Sequence, residues 1–270
     1  MTHATARRMV GAEILKLRKK RTTVAWTLFL GAGAIAIYYL YAALDHASDP
    51  VHHGPAGGTA GFMRGLQGLA IFVGPLAAAM IGAEAGAGDR AAGVFRDLVA
   101  TGRSRFALFL VRIPAALALT FVCVALGFAV AVGASFALAG GDATPTAGTI
   151  LDGAGWVLLA NAVICVLAIG LASLTGSRAV TLTALIGWEL VVSPQLVNAA
   201  SLGSARNVLV DGALLRIEPG PVPNGTPHLA MSIGAVILVL VLWPLAATVL
   251  GAWSTRVREA CRGRRILDPG

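Results

Sequence analysis

Residues 113–138 read IPAALALTFVCVALGFAVAVGASFAL, with no charged side chain anywhere in the run. A helix rises about 1.5 Å per residue, so roughly 20 apolar residues cross the hydrocarbon of a bilayer. This run clears that length, and it is too long for a helix of a water-soluble core. Five further runs flank it: Thr22–Leu44 and Gly61–Ala83 before it, then Trp156–Leu174, Ala179–Leu196 and Leu229–Leu250. Only Thr175–Arg178 separates the fourth run from the fifth, and losing that break would move the C-terminus to the other side. Composition agrees with burial in lipid: 57% hydrophobic residues, 13% charged ones and a mean hydropathy of +0.78. The expected fold class is an all-α integral membrane protein, with six transmembrane helices in a single transmembrane domain spanning residues 1–270.

Charge sets the expected orientation. The N-terminal segment holds Arg7, Arg8, Lys16, Arg18, Lys19, Lys20 and Arg21. The connection after the second run holds Arg90, Arg96, Arg103, Arg105 and Arg112, the turn after the fourth holds Arg178, and the tail holds Arg256, Arg258, Arg262, Arg264 and Arg265. Loops Asp45–Ala60 and Ala139–Leu151 have no Lys or Arg, and the long loop Val197–His228 has only Arg206 and Arg216. The basic segments alternate as six spans require, so the positive-inside rule puts both termini in the cytoplasm. A formal charge of +8 distributed this way, without interleaved aromatic residues, is not a nucleic-acid footprint.

Within the N-terminal segment Val10, Ile14 and Leu17 recur at helical spacing, with Lys16 and Lys19 on the opposite side. That pattern predicts an amphipathic interfacial helix on an anionic membrane surface. The following run is too long for a signal-peptide core and ends without an A-x-A site, so it reads as an uncleaved span. Cys123 and Cys165 fall in apolar runs and Cys261 near the basic tail, which gives no disulfide framework.

The connection between the second and third runs carries the most information. Asp89 is a candidate N-cap and Gly102 a candidate C′ residue for a helix over about 89–102. Val94, Phe95, Leu98 and Val99 form one apolar stripe along it, while Arg96 and Asp97 point elsewhere. Such a helix can press into a partner's groove or lie on the membrane.

The stretch GAEAGAGDRAAGVFRDLVATGRSR, residues 82–105, resembles the cytoplasmic connection of ABC-2 type permeases, the membrane subunits of bacterial ATP-binding cassette exporters. Glu84, Gly93, Leu98, Thr101, Ser104 and Arg105 occupy places in the family pattern, and Arg112 stands where a basic residue follows. Gly102 replaces the family's proline, and arginine its lysine. The layout of the whole chain is also similar, including the loop 197–228, where related permeases hold short re-entrant or surface helices. The resemblance implies a coupling helix that docks on an ATPase, through Glu84, Asp89, Gly93, Phe95, Arg96, Leu98, Arg103 and Arg105. It also implies a second permease copy or a related permease as dimer partner, and residence in a bacterial cytoplasmic membrane.

A phosphate-binding loop needs GxxxxGK[ST], yet the only lysines are Lys16, Lys19 and Lys20. ATP and Mg therefore belong to a partner ATPase, and no cofactor is expected in this chain. Nor is an enzyme expected, because no histidine lies in any span and no catalytic constellation can be assembled there. Isolated polar residues within the runs, Glu189, Arg64, Gln67 and Asn161, are candidates for a translocation path, since such groups are costly in lipid. Against that, Arg64 can snorkel to headgroups, and Glu189 can hydrogen-bond a neighbouring helix. His46, His52 and His53 cluster in the first loop with Asp45 and Asp49, but Pro50, Gly54, Pro55, Gly57 and Gly58 favour a solvated loop over a metal site. The expected function is export of a hydrophobic or amphipathic compound, such as a drug, antibiotic, lipid or peptide. A non-transporting structural or immunity-type membrane protein is the alternative, ahead of an intramembrane enzyme.

Overall fold

The computed structural model describes residues 3–91, 104–220 and 231–267. Its regular structure is helical, with no strand among the described residues. Six helices are long and apolar enough to cross a membrane: Arg21–Ser48, Gly58–Asp89, Phe106–Ala137, Ala147–Thr175, Arg178–Asn198 and Ile233–Ser254, hereafter spans 1 to 6. A further helix, His3–Lys19, precedes them.

Most of the spans outrun the apolar stretches that announced them, because caps rather than hydropathy set the ends. The Ser104 hydroxyl accepts from the Ala107 amide at 3.2 Å, which starts span 3 well before Ile113. Thr146 does the same for the Thr149 amide at 3.2 Å and opens span 4 nine residues ahead of Trp156. The short break Thr175–Arg178 holds two caps in succession. Gly176 takes the left-handed conformation, φ 71°, that ends span 4, and the Ser177 hydroxyl accepts from the Val180 amide at 3.4 Å to begin span 5. A stop and a start signal in consecutive residues keep the two spans separate.

The packing is inverted relative to a soluble protein. Large apolar side chains face outward, with Leu40, Leu44, Ile237, Leu238, Val241 and Leu242 each at least 50% exposed. The interior of span 2 is lined instead by small residues, among them Ala78, Ala79, Ala83 and Ala87. Lipid is as apolar as leucine, so helices associate where small residues let backbones approach closely. Gly82 and Gly86, one turn apart, meet span 4 this way: a Cβ on Gly82 would lie 2.5 Å from the Cys165 carbonyl oxygen and 2.6 Å from Ala168 Cβ. On its other side, span 4 meets span 6 backbone to backbone at Gly170, Ala247 and Gly251. Span 4 is thus the hub, with 61% of its apolar window buried against 11% for span 6.

Three spans contain a π-helical turn: Phe29–Gly33 in span 1, Gly68–Phe72 in span 2 and Trp188–Val192 in span 5. The turns in spans 2 and 5 are in contact. Such insertions shift one half of a helix relative to the other, and they recur at functional sites.

Candidate functional site

At one end of the bundle a belt of polar groups joins every span. The Asp89 carboxylate receives Arg112 Nη2 at 2.7 Å on one oxygen and Lys16 Nζ at 2.7 Å on the other. Glu84, one turn earlier on the same helix, receives Arg178 Nη1 at 2.9 Å and Lys20 Nζ at 3.2 Å. Both carboxylates are buried, and so is Arg112, at 1% exposure. The Gly86 carbonyl accepts from Arg112 Nη1 and from the Ser173 hydroxyl, each at 3.4 Å. The Ser254 hydroxyl then donates to the Ser173 carbonyl at 2.9 Å. In this way the N-terminal helix, the start of span 1 and spans 2 to 6 share one network.

The residue types follow from the setting. A buried carboxylate needs a partner, and breaking a buried pair from one side costs about 3–5 kcal/mol. Lys20 is half exposed, so its pair with Glu84 is screened and contributes little, at most about 1 kcal/mol. The strong contacts are Asp89 with Arg112 and Glu84 with Arg178.

Two expectations change here. Asp89 does not cap a new helix, since the helix of span 2 runs unbroken through it to Ala91. Its carboxylate is held by Arg112, 23 residues along the chain, and by Lys16, and neither partner is visible in local spacing. Lys16 does not share the outer face of the N-terminal helix with Lys19; it is half buried, turned inward to Asp89 and Glu13. The other features of that helix follow the sequence pattern, with Leu17 buried and Arg7, Arg8, Arg18 and Lys19 exposed. Of the remaining coupling candidates, Gly93, Phe95, Arg96, Leu98 and Arg103 lie outside the described residues, while Arg105 opens the first helical turn of span 3.

At the far end lie residues 199–220, the described part of the segment between spans 5 and 6. It forms a 3₁₀ helix, Ala200–Val208, broken at Gly203 (φ 52°), and an α-helix, Val210–Arg216. Trp243 Nε1 donates to the Val208 carbonyl at 2.9 Å. Trp243 lies roughly 15 Å down span 6 from Ile233 at 1.5 Å per residue, so the segment reaches near mid-height. Trp156 Nε1 on span 4 donates to the Leu214 carbonyl at 2.9 Å, and Gln67 Nε2 on span 2 to Glu218 Oε1 at 2.6 Å. These donors hold the segment, called the plug below, against spans 2, 4 and 6, and the Ser193 hydroxyl holds it against span 5.

Of the four candidate path residues, Arg64, Gln67 and Asn161 each take a different partner. Arg64 is exposed, and its Nε donates to the Ala60 carbonyl of its own helix at 3.4 Å. Gln67 holds the plug. Asn161 is fully buried, and its Nδ2 donates to the Leu69 carbonyl in the π-turn of span 2 at 3.1 Å and to the Val157 carbonyl at 2.8 Å. Glu189 is 8% exposed and lies in the π-turn of span 5. One turn further along, the Ser193 hydroxyl donates to the Asp211 carboxylate of the plug, which brings a second acid to this part of span 5. Asp211 is the functional residue that sequence reasoning missed. The signal for it was an acidic residue in a loop otherwise rich in apolar ones, opposite an orphan intramembrane acid.

Below the plug, spans 4, 5 and 6 enclose a groove of 360 Å³. Leu167, Leu171 and Leu174 form its floor, Trp188 and Glu189 one wall, and Trp243, Ala246 and Leu250 the other, with Leu209 and Val210 as its ceiling. In the first loop, His52 Nδ1 lies 2.7 Å from Asp49 Oδ2 and His46 Nδ1 lies 2.6 Å from the His53 carbonyl. The hydrogen bond from His52 holds the Asp49 carboxyl below its usual range. No group of three metal-capable side chains occurs among the described residues.

Compared with family models and with curated proteins, the sequence matches none.

Proposed function

We propose that the chain is the membrane subunit of an ATP-driven exporter of hydrophobic or amphipathic compounds. It works as a pair of permease subunits with a separate ATPase, in a bacterial cytoplasmic membrane with both termini inside. The observation that carries this reading is the polar belt. It ties all six spans to Glu84 and Asp89, the residues that lead directly into the segment resembling an ABC-2 coupling helix. A displacement of that segment by an ATPase would pull on two buried carboxylates. Buried charges have few alternative partners, so the pull passes to Arg112 and Arg178, and from them to spans 3 and 5. The plug at the opposite end supports the same reading, because an exporter at rest needs its exit closed.

Docking is expected to run through the apolar stripe, with the flanking arginines setting orientation. The test is co-purification with an ATP-binding cassette ATPase encoded beside this chain. Replacing Phe95 and Leu98 together by Asp is expected to abolish co-purification and substrate-stimulated ATP hydrolysis, while the membrane domain keeps its elution profile. Undiminished capture of the ATPase by the double variant would overturn the assignment.

A further inference from the structure

The groove beneath the plug is walled by apolar side chains from three spans, and an acyl chain could fill such a space without help. It is not purely apolar, however. Glu189 reaches its upper wall from mid-span, where an ionisable group is expensive unless it has a task. The chain brings a second carboxyl, Asp211, to the same stretch of span 5, where the Ser193 hydroxyl, one turn from Glu189, donates to it. Two neighbouring carboxyl groups in a low-dielectric site do not both ionise, so the pair can offer at most one negative charge. Among the described residues no Lys or Arg pairs with either one. The indole rings of Trp188 and Trp243 stand on opposite walls at 39% and 43% exposure, and the hydrogen bond to Val208 fixes the second of them. Aromatic faces attract cations most strongly where water is scarce.

We propose that the groove between spans 4, 5 and 6 is a binding site for a lipophilic monocation, with its charge at Glu189, which Asp211 backs from outside the lining, and its apolar body between Trp188, Trp243 and Leu171. A monocation matches the one negative charge that the pair can offer, and the two aromatic walls favour delocalised or quaternary cations over a compact ammonium. The volume falls in the range of sites that enclose small organic ligands. Its lining runs from the plug to Leu174 and Leu250, toward the basic end. Assigning this ligand as exported substrate rests on the transporter reading, whereas binding itself does not.

The test uses the full chain in lipid nanodiscs, with tetraphenylphosphonium as probe and equilibrium dialysis as readout. Saturable binding above empty nanodiscs is expected. The near-isosteric double variant Glu189→Gln with Asp211→Asn is expected to weaken it at least about tenfold. Ala246→Trp, a change at an exposed wall position that fills the groove without touching the core, is expected to abolish it. This variant decides the matter if the double variant fails to fold. Absence of saturable binding in the wild type, or equal affinity in both variants, would sink the proposal and leave the groove as a seat for lipid or for a second copy. Equal competition by neutral triphenylmethane would sink it too, since the carboxyl pair would then be idle. None of these measurements involves the ATPase, so failure here leaves the coupling assignment standing, and failed ATPase capture leaves this site standing.

Discussion

Single residues in this chain do their work by choosing distant partners, and Glu218 is the simplest case to test. It sits outside the spans and accepts from Gln67, clamping the plug to span 2. Burial pushes its carboxyl above the usual glutamate range, and the hydrogen bond from Gln67 offsets only part of that. A carboxyl with the higher value in the folded state binds its proton more tightly when folded, so ionisation opposes folding. The penalty is absent below the unfolded value of about 4.3 and grows as pH rises toward the folded one. Glu218→Gln removes the charge and keeps the contact. Its melting temperature, followed by tryptophan fluorescence in detergent, is expected to exceed that of the wild type at pH 7 and to converge with it near pH 4. A constant offset across that range would mean that the charge of Glu218 is not what the substitution relieves. Of such pairings little could be foreseen. Glu189 was visible as an orphan because hydropathy isolates it, but Asp211 lies 22 residues away in a loop with no periodic relation to it. Glu84, Asp89 and Arg112 were noticed in the connection after span 2, and Lys16 on the N-terminal helix, but no pattern paired either carboxylate with its cations.

Among the elements, the six spans were legible because each needs a long apolar run, and composition reports that directly. Their ends were not, since Ser104, Thr146 and the Gly176–Ser177 pair act through capping hydrogen bonds that leave hydropathy unchanged. The π-turns were equally hidden, because one extra residue in a turn leaves an apolar run looking the same. Packing of span 2 on span 4 was legible in principle, as Gly82 and Gly86 form a small-xxx-small pair. That pair now supports a prediction. Gly82→Leu would place its Cβ against the Cys165 backbone, which cannot rotate away, so spans 2 and 4 must separate. The cost is expected to be about 2 kcal/mol or more, seen as a lower melting temperature and a loss of monodisperse protein. Gly133→Leu, at a position on span 3 with nothing within 4 Å, is the control and should behave as wild type. If both variants were equally stable, close approach at Gly82 would not be holding the two helices together.

For the whole molecule, the arrangement has a direction, with the polar belt at one end and the plug at the other. The even number of spans puts both termini on the belt side, and Lys16, Lys20, Arg112 and Arg178 all lie there. The positive-inside rule then predicts that the belt faces the cytoplasm and the plug faces out. Orientation bears on function and not only on topology, because a cytoplasmic ATPase can reach only the segments on the cytoplasmic side. Single cysteines in a Cys261→Ser background can decide it, since Cys123 and Cys165 are buried and silent. His52→Cys, exposed in the first loop, is expected to react with a membrane-impermeant maleimide in intact cells. Arg8→Cys, exposed on the N-terminal helix, is expected to react only after the cells are opened. Ser254 is a poor site for this purpose, because its hydroxyl is buried against Ser173 and Gly251. Labelling of Arg8→Cys but not His52→Cys in intact cells would invert the molecule. The coupling segment would then lie outside, beyond the reach of any cytoplasmic ATPase, and the exporter reading would fall with it.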